Sequence, residues 1–88
     1  MEFEWDRDKA ASNLRKHGVD FADAAQVFLD PFMLEYEDLG TFAEIRFNAL
    51  GMVRNRLIFL VYTERPGRIR IISARKATRH ERRQYHEG

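Results

Sequence analysis

Cationic side chains crowd into the C-terminal part of the chain. Arg68, Arg70, Arg75, Lys76, Arg79, Arg82 and Arg83 fall within sixteen residues. Guanidinium forks match the geometry of phosphate oxygens, and phosphate contacts supply most of the affinity for nucleic acids. The bland alternative for this run is a solvated basic terminus. Arg46 and Arg70 are sharper candidates. Arg46 stands between Ile45 and Phe47, and Arg70 between Ile69 and Ile71. Strand alternation sends each arginine to the face opposite its apolar neighbours. With Glu44 and Asn48 beside them, they would form a polar site on a rigid sheet. The alternative for both is cross-strand pairing with acids, worth about 0.2–1 kcal/mol each.

Other chemistries are poorly served. There is no cysteine, hence no thiol nucleophile, disulfide or cysteine-based zinc site. His80 and His86 are six residues apart, which is not one-face ligand spacing on a helix. His17 closes a predicted helix, where the dipole favours a cation. No HExxH, paired-carboxylate motif, P-loop, dinucleotide fingerprint or GxSxG is present, so neither metal nor cofactor is expected. An enzyme with this inventory must work by positioning and charge. RNA suits that requirement, because its 2′-hydroxyl is a built-in nucleophile. Cleavage then needs the phosphate held in line and its charge stabilised.

The formal net charge is only +1, but the sum hides a polarity. Residues 1–45 carry 4 bases and 11 acids, a balance of −7, whereas residues 46–88 carry 11 bases and 3 acids, a balance of +8. Such asymmetry points to a nucleic acid or a charged partner; the alternative is mutual attraction of the halves within the fold. The first residues carry acids where a signal peptide would carry bases, and no apolar run approaches the roughly 20 residues of a membrane span. A cytoplasmic protein without membrane attachment is expected.

The elements that would position these residues follow from local signals. The 88 residues hold no repeat, linker or low-complexity tract, so one domain over 1–88 is expected. Phe3 to Trp5 alternates as a short strand. Asp6 caps a helix that ends at His17-Gly18, with glycine in the left-handed closing position. Asp20 caps a second helix, whose stripe Phe21, Ala24, Ala25, Phe28 and Leu29 has helical period. Asp30-Pro31 stops it. Strands are expected from Phe32 to Tyr36 before a turn at Asp38–Gly40, from Glu44 to Leu50, from Leu57 to Tyr62 and from Arg68 to Arg75. Gly51 opens the loop to Asn55, and Pro66-Gly67 makes the next turn. Thr78 and Glu81 form a capping box for a helix from about Arg79 to Glu87. That helix offers only Tyr85 as a sizeable apolar group, so an ordinary apolar stripe cannot hold it. The expected class is α+β: two N-terminal helices on one face of an antiparallel sheet, packed through Phe21, Ala25 and Phe28, a short C-terminal helix, and the other face open.

Several separate stretches, in order, resemble the BrnT family of type II toxins. They are Phe3–Asp6, Ala11–Val19, Phe28–Pro31, Glu44–Phe47 through Gly51, and Ile69–Arg79 with Glu81, Arg82 and Tyr85. The resemblance implies a RelE-like fold and an endoribonuclease that cleaves RNA, free or on the ribosome, and so inhibits translation. It implies neutralisation by a cognate BrnA-like ribbon–helix–helix antitoxin, in a 2:2 heterotetramer that binds operator DNA through the antitoxin. A binding module without catalysis, acting in operon autoregulation, and a plain structural subunit are the other readings. By the resemblance, Arg46, Arg70 and Arg75 carry catalysis, with His17 the one candidate base whose ordinary pKa lies near neutrality. Lys16, Lys76, Arg79, Arg82, Arg83 and Tyr85 would contact RNA.

Overall fold

A computed structural model describes residues 1–39 and 44–87. It is a small α+β domain in which helices flank a five-stranded sheet. Strand β1 (Glu2–Glu4) leads into helix α1 (Arg7–His17), α2 (Phe21–Ala24) and a 3-10 helix (Ala25–Leu29). Strands β2 (Leu34–Asp38), β3 (Arg46–Val53), β4 (Arg56–Arg65) and β5 (Arg68–Lys76) follow, then helix α3 (Arg79–Glu87). The sheet order is β1-β5-β4-β3-β2. The expected turn at Asp38–Gly40 runs into residues outside those described; Asp38 itself still pairs in β2.

The sheet is not wholly antiparallel as expected. β1 joins β5 in parallel, with Phe3 opposite Ile69 and Glu4 opposite Arg70. The side chains of β1 explain the pairing. Phe3 packs on Phe28 with ring centroids 5.5 Å apart. On the other side Glu4 meets Arg68 at 2.6 Å and Arg70 at 2.8 Å.

Local signals determine the helix ends. Asp6 accepts from the Lys9 N–H at 3.0 Å, and Gly18 closes α1 at φ 68°. The expected second helix tightens halfway. Winding at three residues per turn brings Phe21, Ala24 and Val27 to the core, all fully buried, and leaves Leu29 80 % exposed. Val27 thus takes the core place that a 3.6-residue period assigned to Leu29. Phe28 is half-buried, edge-on to Tyr62 at 5.1 Å. Gly51 is not a loop residue. It lies inside β3, where a Cβ would come within 2.8 Å of Val27 Cγ1. Its bare backbone lets the 3-10 helix rest directly on the sheet. The turn that follows is Arg54-Asn55, with Arg54 at φ 57°.

The main core lies between the helices and one sheet face, built from Val19, Phe21, Ala24, Val27, Ala49, Leu60, Tyr62 and Ile71 among others. Asn13 ties α1 to the sheet. β1 covers β5 only up to Arg70, so the edge of β5 beyond it needs hydrogen-bond partners. The buried Asn13 amide donates to Ala74 O at 2.8 Å and to Val19 O at 3.0 Å, and its carbonyl accepts from Ala74 N at 3.1 Å. One side chain thereby stands in for a missing strand.

Asn13→Ala should leave buried backbone groups of Ala74 and Val19 unpaired, each such group costing about 1–3 kcal/mol. Chemical denaturation should show a loss of at least that size; an unchanged midpoint would show that water replaces the amide freely.

Candidate active site

The opposite face of the sheet is built in rows that follow from strand register. Nearest α3 stand Leu34, Leu50, Phe59 and Arg75, the next row is Tyr36, Asn48, Val61 and Ser73, and the far row includes Asp38, Arg46, Thr63 and Arg70. Residues directly opposite in a ladder share a face. One irregularity makes the set possible. Alternation along β5 would put Arg70 and Arg75, an odd number of residues apart, on opposite faces. A bulge opposite Val61/Tyr62 leaves Ile72 without a partner, so that Ser73 pairs with Val61 and Ile71 with Tyr62. The extra residue resets the phase and turns both arginines to the same side.

This face is not fully open. α3 packs against β3 and closes one end, where Leu50 and Leu57 are almost wholly buried. No residue of α3 is buried, as its sequence requires, and the helix is held by polar clasps of this chain's own. Arg75 forms a forked pair with Glu81 at 2.8 and 2.9 Å and lies 4.2 Å above the Phe59 ring. The Tyr85 hydroxyl donates to Asp30 Oδ2 at 2.5 Å. The capping box forms as expected: Glu81 accepts from Thr78 N–H at 2.9 Å, and Thr78 Oγ1 accepts from Glu81 N–H at 3.2 Å.

Asp30 is the junction. Its carboxylate also accepts from Phe32 N–H at 2.9 Å and Met52 N–H at 2.7 Å. Burial opposes its ionisation, but the bonds from Tyr85, Met52 and Phe32 outweigh that and hold its pKa below the usual carboxylate value. In return, the hydrogen bond to Asp30, then burial, pushes the Tyr85 phenol up to about 12. The Arg75 hydrogen bond, against the cost of burial, holds Glu81 below its ordinary value. Hydrogen bonding to Arg70 does the same for Glu4, against a smaller desolvation cost.

The structure brings Arg46, Arg70 and Arg75 onto one face. Arg70 is paired with Glu4 and Arg75 with Glu81, whereas Arg46 Nε is 3.8 Å from Glu44 and, among the described residues, has no hydrogen-bond partner although buried. Lys16 and His17 are not brought there. They are exposed at the end of α1, in the helical layer on the other side of the sheet. Lys76, Arg79, Arg82 and Arg83 are exposed on the end of β5 and on α3. Tyr85 is half-buried with its hydroxyl committed to Asp30. Tyr36 and Ser73, which stand on this face, were not singled out from sequence. The signal for Tyr36 was its alternation within β2; Ser73 depended on the bulge, for which the sequence carries no local mark. Among the described residues, no group of three or more His, Asp or Glu could hold a metal ion, and no helix is long and apolar enough to cross a membrane.

The molecule is thus a small α+β protein that presents arginines on a sheet face walled by a terminal helix. The family model described as the ribonuclease toxin, BrnT, of type II toxin-antitoxin systems matches residues 5–81, and the chain belongs to that family. A type II system implies an antitoxin partner. Comparison with curated proteins gives no significant match.

The clasps of α3 should be pH-sensitive in a defined sense. Glu81 titrates below its ordinary 4.5 when folded, so its contribution is present above pH about 4.5 and is lost as pH falls through the folded value. Tyr85 titrates above its ordinary 10.0, so its contribution is present below pH about 10 and is lost as pH rises through about 12. Glu81→Gln should loosen the helix at neutral pH. Tryptic cleavage at Arg79–Arg83 should speed up while the sheet melts close to the wild-type temperature; a helix equally resistant in the variant would contradict the clasp.

Proposed function

We propose that residues 1–88 act as one RelE-like domain that cleaves RNA without a metal ion and thereby inhibits translation as the toxin of its pair. The observation that carries this reading is the placement of Arg46, Arg70 and Arg75 on one rigid sheet face, where Arg46 Nε has no hydrogen-bond partner among the described residues. Arg46 and Arg70 bind the scissile phosphate, and Glu4 keeps the Arg70 fork oriented. Arg75 adds charge from the α3 side while bracing that helix. The 2′-oxygen of the substrate attacks phosphorus and its proton passes to water. The bond to the 5′-oxygen breaks, and that oxygen takes up a proton. The arginines neutralise the charge that builds on the phosphoryl oxygens in the transition state. This leaves a 2′,3′-cyclic phosphate and a 5′-hydroxyl. Lys76, Arg79, Arg82 and Arg83 extend the cationic surface along the RNA backbone. His17 and Lys16 take no part in this scheme, being on the helical side.

The partner in this reading is a BrnA-like ribbon–helix–helix antitoxin, which covers the sheet face and the Arg75–Arg83 region. Dimerisation of the antitoxin gives a 2:2 assembly that binds operator DNA. A second reading has one observation in its favour. Arg70 and Arg75 already have carboxylate partners, which suits a binding module that serves only autoregulation. The two differ in product: only the enzyme yields cyclic phosphate ends.

Purified protein incubated with single-stranded RNA should cut it equally well with and without chelator. Arg46→Ala should lower the rate by about 10²–10³ and leave the melting temperature nearly unchanged. Arg75→Ala should lose activity and also free α3 to trypsin, because the brace goes with the charge, while the sheet melts close to the wild-type temperature. Arg82→Ala and Arg83→Ala should weaken binding mildly, with a shallower salt dependence. Cleavage that stops in chelator, or full activity in Arg46→Ala, would refute the mechanism.

A further inference from the structure

Two buried side-chain atoms lack a hydrogen-bond partner among the described residues, Arg46 Nε and Asn48 Oδ1. Their residues stand two apart on the same face of β3, a backbone spacing of about 6.6 Å along the strand. An unmatched buried polar atom is costly, and native chains keep few of them. One is a donor and the other an acceptor. A ligand that satisfies both must present an acceptor at one end and a donor at the other. A nucleotide does so, with a phosphate oxygen at one end and a base N–H at the other.

Register adds the missing element. Tyr36 is opposite Asn48 in the β2–β3 ladder and so shares its face. It is 41 % exposed on the outermost strand, and among the described residues its ring pairs with no other aromatic ring. Tyrosine rings serve as stacking platforms for unstacked bases, and an asparagine amide matches the adjacent donor and acceptor of a base edge.

We propose that Tyr36 and Asn48 form a base-reading subsite beside the phosphate-binding arginines, where one unstacked nucleobase of single-stranded RNA stacks on Tyr36 and donates to Asn48 Oδ1. The proposal rests on the ribonuclease reading of this face and deepens it. Arg46 holds the phosphate, and Asn48 and Tyr36 select the nucleotide attached to it. Cleavage preference therefore comes from the edge of the sheet.

The test has two arms. In the first, cut sites in a random single-stranded RNA pool are mapped for wild type, Asn48→Ala, Tyr36→Ala and Tyr36→Phe. Wild type should favour one base at a fixed position next to the cut by about tenfold, the size of one base contact or stack. Asn48→Ala and Tyr36→Ala should flatten that preference, and Tyr36→Phe should keep it. Each distribution is normalised within its own sample, so a lower folded fraction does not mimic the effect. In the second arm, a labelled RNA with 2′-deoxy sugar at the cut position is compared with the same RNA lacking that base. Wild type should lose about tenfold in affinity for the abasic strand, and Asn48→Ala should bind both strands alike. A wild type that cleaves without base preference, or variants that keep it, would overturn the subsite while leaving the ribonuclease reading intact. A wild type that never cleaves would sink the ribonuclease reading instead, and equal affinity for the two strands would then sink the subsite as well.

Discussion

The single extra residue in β5 is the constraint on which the cationic face depends. Arg70 and Arg75 are of opposite parity, and a regular strand would bury one of them against the helices. Burying an arginine there without a partner would cost several kcal/mol. The bulge at Ile72 removes the conflict. It keeps Ile69, Ile71 and Ala74 on the core side while both arginines, together with Ser73, face away from it. The geometry of the site and the continuity of the core are therefore two consequences of one backbone irregularity.

The terminal helix obeys a second constraint. It has too little apolar surface to dock by burial, so its attachment is directional. Glu81 answers Arg75 and the Thr78 cap at once, and Tyr85 reaches Asp30. Asp30 in turn holds the entry to β2 and the backbone of Met52. The helical layer, β3 and α3 thus meet at one carboxylate. Gly51 permits the close seat of the 3-10 helix that leads to Asp30, since a Cβ there would lie 2.8 Å from Val27 Cγ1 and 3.2 Å from Val27 O. A wall held by such contacts is rigid at neutral pH and responsive at the extremes, unlike one sealed by apolar packing.

What was legible in the sequence was local. Asp6, Gly18, Asp20, the Thr78–Glu81 box and the Pro66-Gly67 turn each act within a few residues, and each ends or begins an element where expected. Alternation around Arg46 placed Phe47 and Ala49 on the core side and Arg46 and Asn48 on the other. Ile45 belongs to neither, being 62 % exposed just before β3 begins. Contacts between distant residues were not legible. The parallel pairing of β1 depends on residues 66 positions apart, Glu4 and Arg70. The close seat of the 3-10 helix on the sheet depends on Gly51, far along the chain from Val27. The family-like run from Ala11 to Val19 suggested a chemical reading of Lys16 and His17; its inward-facing members, Asn13 and Val19, serve the β5 edge and the core.

RNA seated on the sheet face between β2 and β5, against the wall of α3, would leave its footprint in the amide chemical shifts. With a short RNA made non-cleavable by 2′-deoxy substitution, the largest perturbations should fall on Arg46, Asn48, Arg70 and Ser73, with α1 silent. Perturbations centred on Lys16 and His17, with the sheet face unchanged, would place the RNA on the helical side instead.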